Sequence, residues 1–401
     1  MRLLYLCYWG IEEGLTHATV FPQLSLMAEM HEIETIIFCT IERRGKSVAY
    51  LGPVHDKIEF HPLYSKGLKL GVLNKILDFV VFPNTLQKIV EANHIDFILS
   101  RGTPAGSLAW KVYSRTGIPF GVESFEPHAD YMLESGVWKK NGLKYRAQKQ
   151  WEDKQKRDAR FLITVSHNYR EHLAHEGLAP EKIVTIPCTV DIQAFAFSES
   201  LRKSTRKRLG LSEEDIVGVY VGKFGDIYYD DEAFRMMNQA FDFFGPLFFM
   251  LILTPQSQAH ITAQIQNVGL AEDRFFIDCV PHEHIPHYLS AADFAFSFVK
   301  PSPSRQFCSP IKDGEYWANG LPILMGKAIG DDSQLIAEYP HAGFVFDHQF
   351  LNLKQGFAHI QSLISTAERG AMRKANVALA ERERGRGVIS KILKYVLLQK
   401  A

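Results

Sequence analysis

The chain has 401 residues, and its 45 lysine and arginine residues balance 45 aspartate and glutamate residues. A formal charge of zero argues against nucleic acid or an acidic membrane as the main partner. With 46% apolar and 22% charged residues, the composition is that of a globular protein and excludes disorder as the main state. At about 100 to 200 residues per domain, the length predicts two domains.

The cysteines and the apolar runs predict a cytoplasmic protein without a membrane-spanning segment. The five cysteines are scattered and form no C-x-x-C pair, which is typical of neither a disulfide framework nor a zinc site. The apolar run at 3–9 is too short for a signal peptide. The most lipid-like stretch, 243–253, is roughly half as long as a membrane helix requires. The cysteines are Cys7, Cys39, Cys188, Cys279 and Cys308.

Short apolar runs alternate with longer helical patterns up to residue 350, which is typical of parallel sheets with helical crossovers. The fold class is therefore α/β, with two doubly wound, Rossmann-like domains, which we place at 1–195 and 196–385. Ligands of two such domains are expected in the cleft at the carboxyl ends of their strands. In the first domain, strands are predicted over 3–8, 33–39, 57–60, 97–99, 120–122, 161–165 and 183–186, and helices over 16–30, 70–81 and 143–160. In the second domain, strands are predicted over 216–221, 248–253, 275–279, 294–298, 322–324 and 343–346.

The most informative segment is a loop and helix start that follow the predicted strand 294–298. Pro310 suits a first helical turn, whose free N–H groups and positive dipole end favour a phosphate, and Lys312 adds a cation there. Glu315 can accept hydrogen bonds from two neighbouring hydroxyls, as a ribose presents them. The alternative is an ordinary i,i+3 surface ion pair between Lys312 and Glu315.

Taken together, the positions of this segment resemble the nucleotide-sugar motif of glycosyltransferase family four, the retaining enzymes of GT-B architecture. Segments 287–293, 164–166 and 186–195 are similar to further parts of that family's pattern, and the resemblance is weaker before residue 160. It implies a helix within 386–401 that crosses back to the first domain. The motif consists of Ser309, Pro310, Lys312, Glu315, Tyr316, Ala318, Gly320 and Pro322, and Ile311 lies within its loop.

A second candidate is the pair Gly222 and Lys223, directly after the first strand of the second domain. A glycine lets the backbone approach a diphosphate, and the lysine supplies charge at the same point. The alternative is a plain turn with a solvated lysine. The pair resembles the family's G-R/K loop, whose cation contacts the donor diphosphate.

Two positions depart from the family pattern. Phe307 stands where the family often has a glutamate, and Tyr228 stands where it usually has a lysine. A contact to a sugar hydroxyl is therefore missing or replaced. Lys300 or Arg305 is a candidate for the second cation, because both precede the phosphate loop.

The first domain is expected to hold the acceptor. Gly10 lies in the loop where the family has a glycine-rich turn, although the double glycine is absent. Arg101 follows a predicted strand and is a candidate for binding an anionic or hydroxylated group, with a salt bridge to a neighbouring loop carboxylate as the alternative. His128 matches a family histidine that contacts the donor sugar, and Glu126 is a candidate for orienting the acceptor.

His282, Glu283, His284 and His287 have the residue types of metal ligands, but the segment opens a predicted helix and resembles a family pattern without ligands there. A capping role is expected, and no metal. The resemblance places the turn from Val280 to His282 beside the nucleobase.

The resemblance implies a hexosyltransferase that moves a sugar from a nucleotide-diphosphate sugar to a glycan or other hydroxyl acceptor with retention, without metal or cofactor. His128, Glu126 and Lys223 are its expected catalytic residues. The alternatives are a nucleotide-sugar epimerase of the same fold and a non-catalytic member that binds a nucleotide sugar or a partner protein. A dinucleotide-dependent oxidoreductase lacks its G-x-G-x-x-G. The acceptor class extends to lipid-linked glycans of polysaccharide biosynthesis, which leaves open a peripheral contact with the inner face of a membrane.

Overall fold

Strands and helices alternate along the chain in a computed structural model that describes residues 1–43, 47–66, 71–140, 142–365 and 367–399. The described residues form two units, one from Met1 to Pro187 with the segment from Ile389 onward, and one from Cys188 to Val388. The chain thus changes unit after residue 187 and after residue 388, whereas the sequence places these boundaries at 195 and 385.

The N-terminal unit is built on a seven-stranded parallel sheet of order β4-β2-β1-β6-β7-β8-β9, with a separate two-stranded sheet β3-β5. The first strand of the chain is buried in this sheet, because it carries an apolar run and pairs with strands on both sides, as expected for a parallel sheet. The strands are β1 (Arg2–Cys7), β2 (Thr35–Cys39), β3 (Ile41–Glu42), β4 (Ile58–Phe60), β5 (Leu63–Tyr64), β6 (Phe97–Arg101), β7 (Phe120–Glu123), β8 (Leu162–Thr164) and β9 (Ile183–Thr185). The helices are α1 (Phe21–Ala28), α2 (Gly71–Ala92), α3 (Thr103–Thr116), α4 (His128–Glu134), α5 (Leu143–Asp158) and α6 (His167–His175).

The C-terminal unit contains a six-stranded parallel sheet of order β12-β11-β10-β13-β14-β15. The strand order reverses between β10 and β13, and in such sheets ligands bind where the loops diverge at this point. The strands are β10 (Ile216–Val221), β11 (Phe248–Leu253), β12 (Phe275–Asp278), β13 (Phe294–Ser297), β14 (Ile323–Gly326) and β15 (Gly343–Phe346). The helices are α7 (Glu199–Arg208), α8 (Asp231–Phe244), α9 (Gln258–Asn267), α10 (Ile285–Ala291), α11 (Ile311–Ala318), α12 (Asp332–Glu338), α13 (Leu353–Leu363) and α14 (Arg369–Arg384).

The last helix, α15 (Arg386–Gln399), packs into the core of the N-terminal unit. Its buried side chains recur at helical spacing, and they join a core cluster that includes Leu3 and Tyr5 of β1. Burial of this apolar stripe fixes the end of the chain to the first sheet. The stripe consists of Ile389, Leu393, Val396 and Leu397.

Apart from shifts of one or two residues at the ends of strands and helices, the elements differ from the predicted ones in three places. The predicted helix 16–30 is a π-helical turn at Thr16–Val20 followed by α1. The helix predicted at 70–81 begins at Gly71 and continues past Pro83 to Ala92, because Leu86 and Val90 are buried beyond the proline; residue 70 lies outside the described residues. Strands β3 and β5 were not predicted, since two residues are too few to show a period.

Candidate functional site

The turn after β10 exposes a lysine at the switch point of the second sheet. Gly222 has φ +156°, and a Cβ atom there would lie 2.7 Å from the Tyr220 hydroxyl, so the position requires glycine. That hydroxyl donates a hydrogen bond to the carbonyl of Lys223, and the buried Phe224 ring packs 4.8 Å from the Tyr220 ring. Lys223 is exposed and, among the described residues, has no carboxylate within 4.0 Å. Its charge is therefore available to an anion.

Helix α11 begins at the same sheet edge. Pro310 is its N-cap residue, and the first turn has N–H groups without intrahelical partners. The backbone N–H of Val221 donates to the Tyr316 hydroxyl at 2.9 Å, which ties the helix to the end of β10. The helix start and the Gly222 turn are thus fixed to one another.

Glu315 is the centre of a polar cluster on α11. The residue is only 2% exposed, and its two carboxylate oxygens lie 2.8 Å from His282 Nε2 and 3.1 Å from Lys312 Nζ. The i,i+3 ion pair is therefore present, but it is extended by a histidine from the turn before α10. Each carboxylate oxygen keeps a second acceptor position, which suits a ribose hydroxyl. The His282 and Lys312 side chains are 53% and 34% exposed and reach the solvent from this cluster.

The hydroxyl of Ser309 is oriented by two donors. Its Oγ accepts hydrogen bonds from the backbone N–H of Cys188 at 3.1 Å and from Arg384 Nη1 at 2.6 Å. A hydroxyl has two acceptor positions and one proton, so these bonds use both acceptor positions. Ser309 can therefore act towards a ligand as a hydrogen-bond donor.

A buried cluster of two carboxyl groups and one guanidinium lies behind this hydroxyl. Arg384 Nη2 forms a short hydrogen bond with Asp332, and both side chains are buried. Burial raises the pKa of the Asp313 carboxyl well above its usual range, and the nearby Asp332 raises it further. Burial raises the pKa of Asp332 as well, but the adjacent Arg384 guanidinium acts in the opposite direction. We therefore infer a protonated Asp313 beside an ion pair of Asp332 and Arg384, a set with no net charge.

Neither of the two residues that depart from the family pattern brings a charged side chain to the site. Phe307 is buried, and Tyr228 pairs with Val299 through the backbone. Lys300 donates to Glu232 Oε1 at 3.1 Å, so its ammonium group has a carboxylate partner of its own. Arg305, the other candidate for a second cation, is buried.

In the N-terminal unit, Gly10 is packed against a carboxylate. The Glu42 side chain accepts a hydrogen bond from the Ile11 N–H at 2.8 Å, and a Cβ atom on Gly10 would lie 2.7 Å from it. The Thr16 hydroxyl donates to the Gly10 carbonyl at 2.8 Å. The absence of a side chain at Gly10 thus allows Glu42 to pack closely against this loop.

Arg101 forms the salt bridge that the sequence leaves open as the alternative. The residue is buried, and its Nη1 lies 2.9 Å from both Glu123 Oε1 and Gln23 Oε1. Its guanidinium lies 4.6 Å from the centre of the Phe125 ring, which lies 5.8 Å from the Trp9 ring. Buried Arg101 thus packs beneath a partly exposed aromatic pair, and its direct contact with an acceptor stays a prediction.

His128 and Glu126 lie close together at the start of α4. His128 Nδ1 is 3.6 Å from Glu126 Oε1, and both side chains are partly exposed. The imidazole lies edge-on to Trp138, with ring centres 5.8 Å apart. The next residue, Ala129, donates its N–H to Glu152 Oε1 at 2.9 Å, and burial raises the pKa of Glu152. The backbone beneath the pair is thus fixed.

The remaining residues of the predicted site lie against the core or at the start of a helix. Val280 packs against the apolar core of the C-terminal unit, and Ile311 is the first residue of α11. His282, Glu283 and His284 form a 3₁₀ turn that leads into α10. Within the described ranges, no group of three or more His, Cys, Asp or Glu side chains is arranged for a metal ion. None of the described helices is both long and apolar enough to cross a membrane.

Arg384, Asp332 and Asp313 are not identified by any pattern in the sequence. Arg384 belongs to a charge-rich stretch near the end of α14, which as a pattern predicts a solvated face. The two aspartates are 19 positions apart and show no motif. Only the folded chain brings the three side chains together.

Comparison with known proteins identifies the family resemblance and the fold. Residues 36–194 match the family model described as Glycosyltransferase Family 4. Among curated proteins no significant match is found. Sucrose-phosphate synthase from Thermosynechococcus elongatus is similar with a TM-score of 0.76 and 14% identity, over 100% of this chain and 99% of that one. HepE from Anabaena, solved in complex with UDP, has a TM-score of 0.70 and 15% identity, with 100% of both chains covered.

A third similar structure is the lipopolysaccharide outer core galactosyltransferase WaaB in its apo form, with a TM-score of 0.67 and 14% identity over 100% of both chains. At these identities the likeness shows the fold, which is that of two Rossmann-like parallel-sheet domains. The matched segment lies mostly before residue 160, where the motifs are weak, and so complements the motifs of the second half. The chain therefore has the GT-B fold, and its resemblance to glycosyltransferase family four is confirmed.

Proposed function

We propose that the protein is a glycosyltransferase that moves a hexose from a nucleotide-diphosphate sugar to a hydroxyl of a glycan or another acceptor, with retention. The observation that carries the proposal is the group at the switch point of the second sheet. Exposed Lys223, the Ser309 donor and the start of α11 with Lys312 and Glu315 meet at one edge. This combination suits a diphosphate with an attached ribose.

The leaving diphosphate is stabilised in this proposal by protein groups alone. Lys223 and Lys312 supply positive charge, and Ser309 with the free N–H groups of α11 supplies hydrogen bonds. Such fixed donors lower the barrier most where negative charge develops in the transition state. The proposed reaction therefore needs no metal, and full activity after dialysis against EDTA is the expected result.

Retention would follow if an oxygen of the departing diphosphate takes the acceptor's proton. The C–O bond to the diphosphate breaks, and the new C–O bond to the acceptor forms on the same face of the sugar. In the N-terminal unit, we assign His128 to the sugar and Glu126 to the acceptor hydroxyl. The Trp9 and Phe125 rings offer apolar faces to a sugar acceptor. An NMR spectrum of the product's anomeric proton tests retention.

The names of the similar structures support a UDP-hexose donor. HepE was solved with UDP, with UDP and glucose, and with UDP-glucose, and WaaB is named a galactosyltransferase. A lipid-linked or polysaccharide acceptor reached from the cytoplasm, with peripheral contact at the inner membrane face, is the corresponding proposal for the biological setting. Activity with a water-soluble acceptor glycan alone would argue against the need for a membrane.

The first experiment is a thermal-shift panel with UDP, GDP, ADP, CMP and NAD. A ligand at 100 times its Kd adds about 2.7 kcal/mol of stability, so one nucleoside diphosphate should raise the melting temperature clearly above the others. The matched variant is Glu315→Ala, which should lose most of that shift. No shift with any nucleotide would contradict the proposal.

A non-catalytic nucleotide-sugar-binding protein is the second candidate, and one observation favours it. Phe307 is buried where the family often has a glutamate, so no carboxylate stands at that point to hold the sugar. Both candidates predict nucleotide binding, but only the enzyme releases nucleoside diphosphate from a nucleotide sugar in the presence of acceptors. An epimerase would instead isomerise the nucleotide sugar without any acceptor.

A further inference from the structure

A cavity of about 490 Å³ opens in the C-terminal unit beside the loop that leads from β13 to Ser309. Sites for small ligands usually measure roughly 300 to 1,000 Å³, so the volume is sufficient for one. None of Lys223, Ser309, Lys312 and Glu315 lines it, and Lys300, the one residue considered for the donor site that does, is paired with Glu232, so we treat the cavity as distinct from the candidate donor site. We call it the 300-loop pocket; its lining includes Tyr229, Glu232, Lys300, Gln306, His348 and Phe350.

The wall of the 300-loop pocket is held in an unusual backbone conformation. Ala328 and Phe350 have φ values of +61° and +60°, and they are two of the four non-glycine residues with positive φ in the described part of the chain. This region is disfavoured for residues with a Cβ atom, and such residues concentrate at ligand sites. Pro301 and Pro303, which also line the pocket, restrict the backbone there. The shape of the pocket is thus determined by restricted backbone conformations in these loops.

The polar groups of the pocket suit a neutral ligand with several hydroxyls. Lys300 Nζ lies 3.1 Å from Glu232 Oε1, and the two side chains are 50% and 31% exposed. Their charges cancel, so an ion gains little net attraction from the pair. A ligand with neighbouring hydroxyls can accept from the ammonium group and donate to the carboxylate at once.

Aromatic rings provide the complementary apolar surface. The partly exposed Phe350 ring stands edge-on to Tyr229, with ring centres 5.5 Å apart, and packs 5.7 Å from Phe346. A flat apolar face beside paired donors and acceptors matches a pyranose ring, which has C–H groups on one face and hydroxyls around its edge. We propose that the 300-loop pocket binds a pyranose, presented as a free sugar or as the terminal residue of a glycan. The proposal does not rest on the glycosyltransferase assignment.

Saturation-transfer NMR on the full chain tests the proposal. The probes are the methyl glycosides of glucose, galactose, mannose and N-acetylglucosamine at about 20 mM, because single sugars often bind with Kd values of about 1 mM or weaker. Each probe is measured with and without UDP. Ring-proton signals from at least one probe, retained when UDP is present, are expected; no signal from any of the four would overturn the proposal, and loss of the signal on adding UDP would assign it to the donor site.

Variants locate the bound sugar. Phe350→Ala should weaken binding about tenfold, whereas Leu351→Ala, at a 78% exposed neighbour that does not line the pocket, should change nothing. Phe350→Leu keeps an apolar side chain and guards against loss of folding, which thermal unfolding checks. Unchanged binding in both Phe350 variants would overturn the proposal.

The source of the sugar is distinguished by a trisaccharide that carries the best probe at its non-reducing end. Binding as tight as that of the methyl glycoside would identify the terminal residue of a glycan as the ligand. Binding of the methyl glycoside but not of the trisaccharide would identify a single sugar, not a glycan end, as the ligand. Both results support a pyranose site.

Discussion

The direction of the Ser309 hydroxyl gives the sharpest prediction for the proposed donor site. Because Cys188 and Arg384 occupy both acceptor positions of Oγ, its proton is available for donation to a ligand. A hydrogen bond to a charged group contributes about 1.5 to 3 kcal/mol. Ser309→Ala should therefore weaken UDP binding roughly 10- to 150-fold.

The same geometry predicts that Arg384 acts through Ser309. Arg384→Gln alone would leave Asp332 as a buried unpaired charge, at a cost of about 3 to 5 kcal/mol of stability. The informative variant is therefore Arg384→Gln with Asp332→Asn, which keeps the buried charge at zero. This pair of substitutions should weaken UDP binding when Ser309 is present and have little further effect when Ser309→Ala is present.

Titration calorimetry with UDP on the four proteins of this cycle measures the coupling, which should be about 1 kcal/mol or more. Unfolding curves show whether each variant is folded. Ser257→Ala is the matched control, since it removes a hydroxyl that accepts a hydrogen bond at the start of α9. Additive losses would contradict the role of Arg384, and an unchanged affinity of Ser309→Ala would remove Ser309 from the site.

Three further predictions concern single residues. Glu315→Ala should weaken UDP binding by about 1.5 to 3 kcal/mol through lost ribose contacts, while Glu315→Gln should lose less; equal affinity for UDP in the wild type and both variants would exclude the contact. Lys223→Ala should weaken UDP but leave uridine binding unchanged, because the cation contacts only the diphosphate; calorimetry with both ligands checks this. Asp313 has a pKa raised by folding, so its contribution to stability is fully present below the unfolded pKa and is lost as the pH rises towards the folded value. Asp313→Asn should therefore flatten the dependence of stability on pH above 4 and preserve stability at neutral pH; a large loss measured by urea unfolding at pH 7 would mean that Asp313 is charged.

The strands of both sheets are largely predictable because a buried parallel strand shows in the sequence as a short, largely apolar run. β10, β11 and β15 begin and end at the predicted residues for this reason. Helix α2 is less predictable, since Pro83 suggests an end that burial of Leu86 and Val90 overrides. A local sequence pattern does not show whether packing against distant residues will stabilise a helix across a proline.

The candidate site, like the fold, is predictable from the sequence only in part. The Lys312–Glu315 pair follows from helical spacing, and its neighbour His282 lies 33 residues earlier on a different loop. A motif indicates that His282 belongs near the nucleotide, but it does not reveal that the imidazole bonds to Glu315. Residue type and spacing identify the groups, whereas tertiary contacts decide which of them meet.

Arg384 is the residue that sequence reasoning was least able to find. Its partners, Asp332 and Ser309, lie 52 and 75 residues away, and its neighbours Glu383 and Arg386 suggest a solvated surface. A buried ion pair contributes little net stability because desolvation offsets the attraction between the charges. Stability alone therefore does not account for a guanidinium at this depth. We infer that its value to the protein is geometric, since it fixes one hydroxyl of the loop before α11 in the orientation that a diphosphate requires.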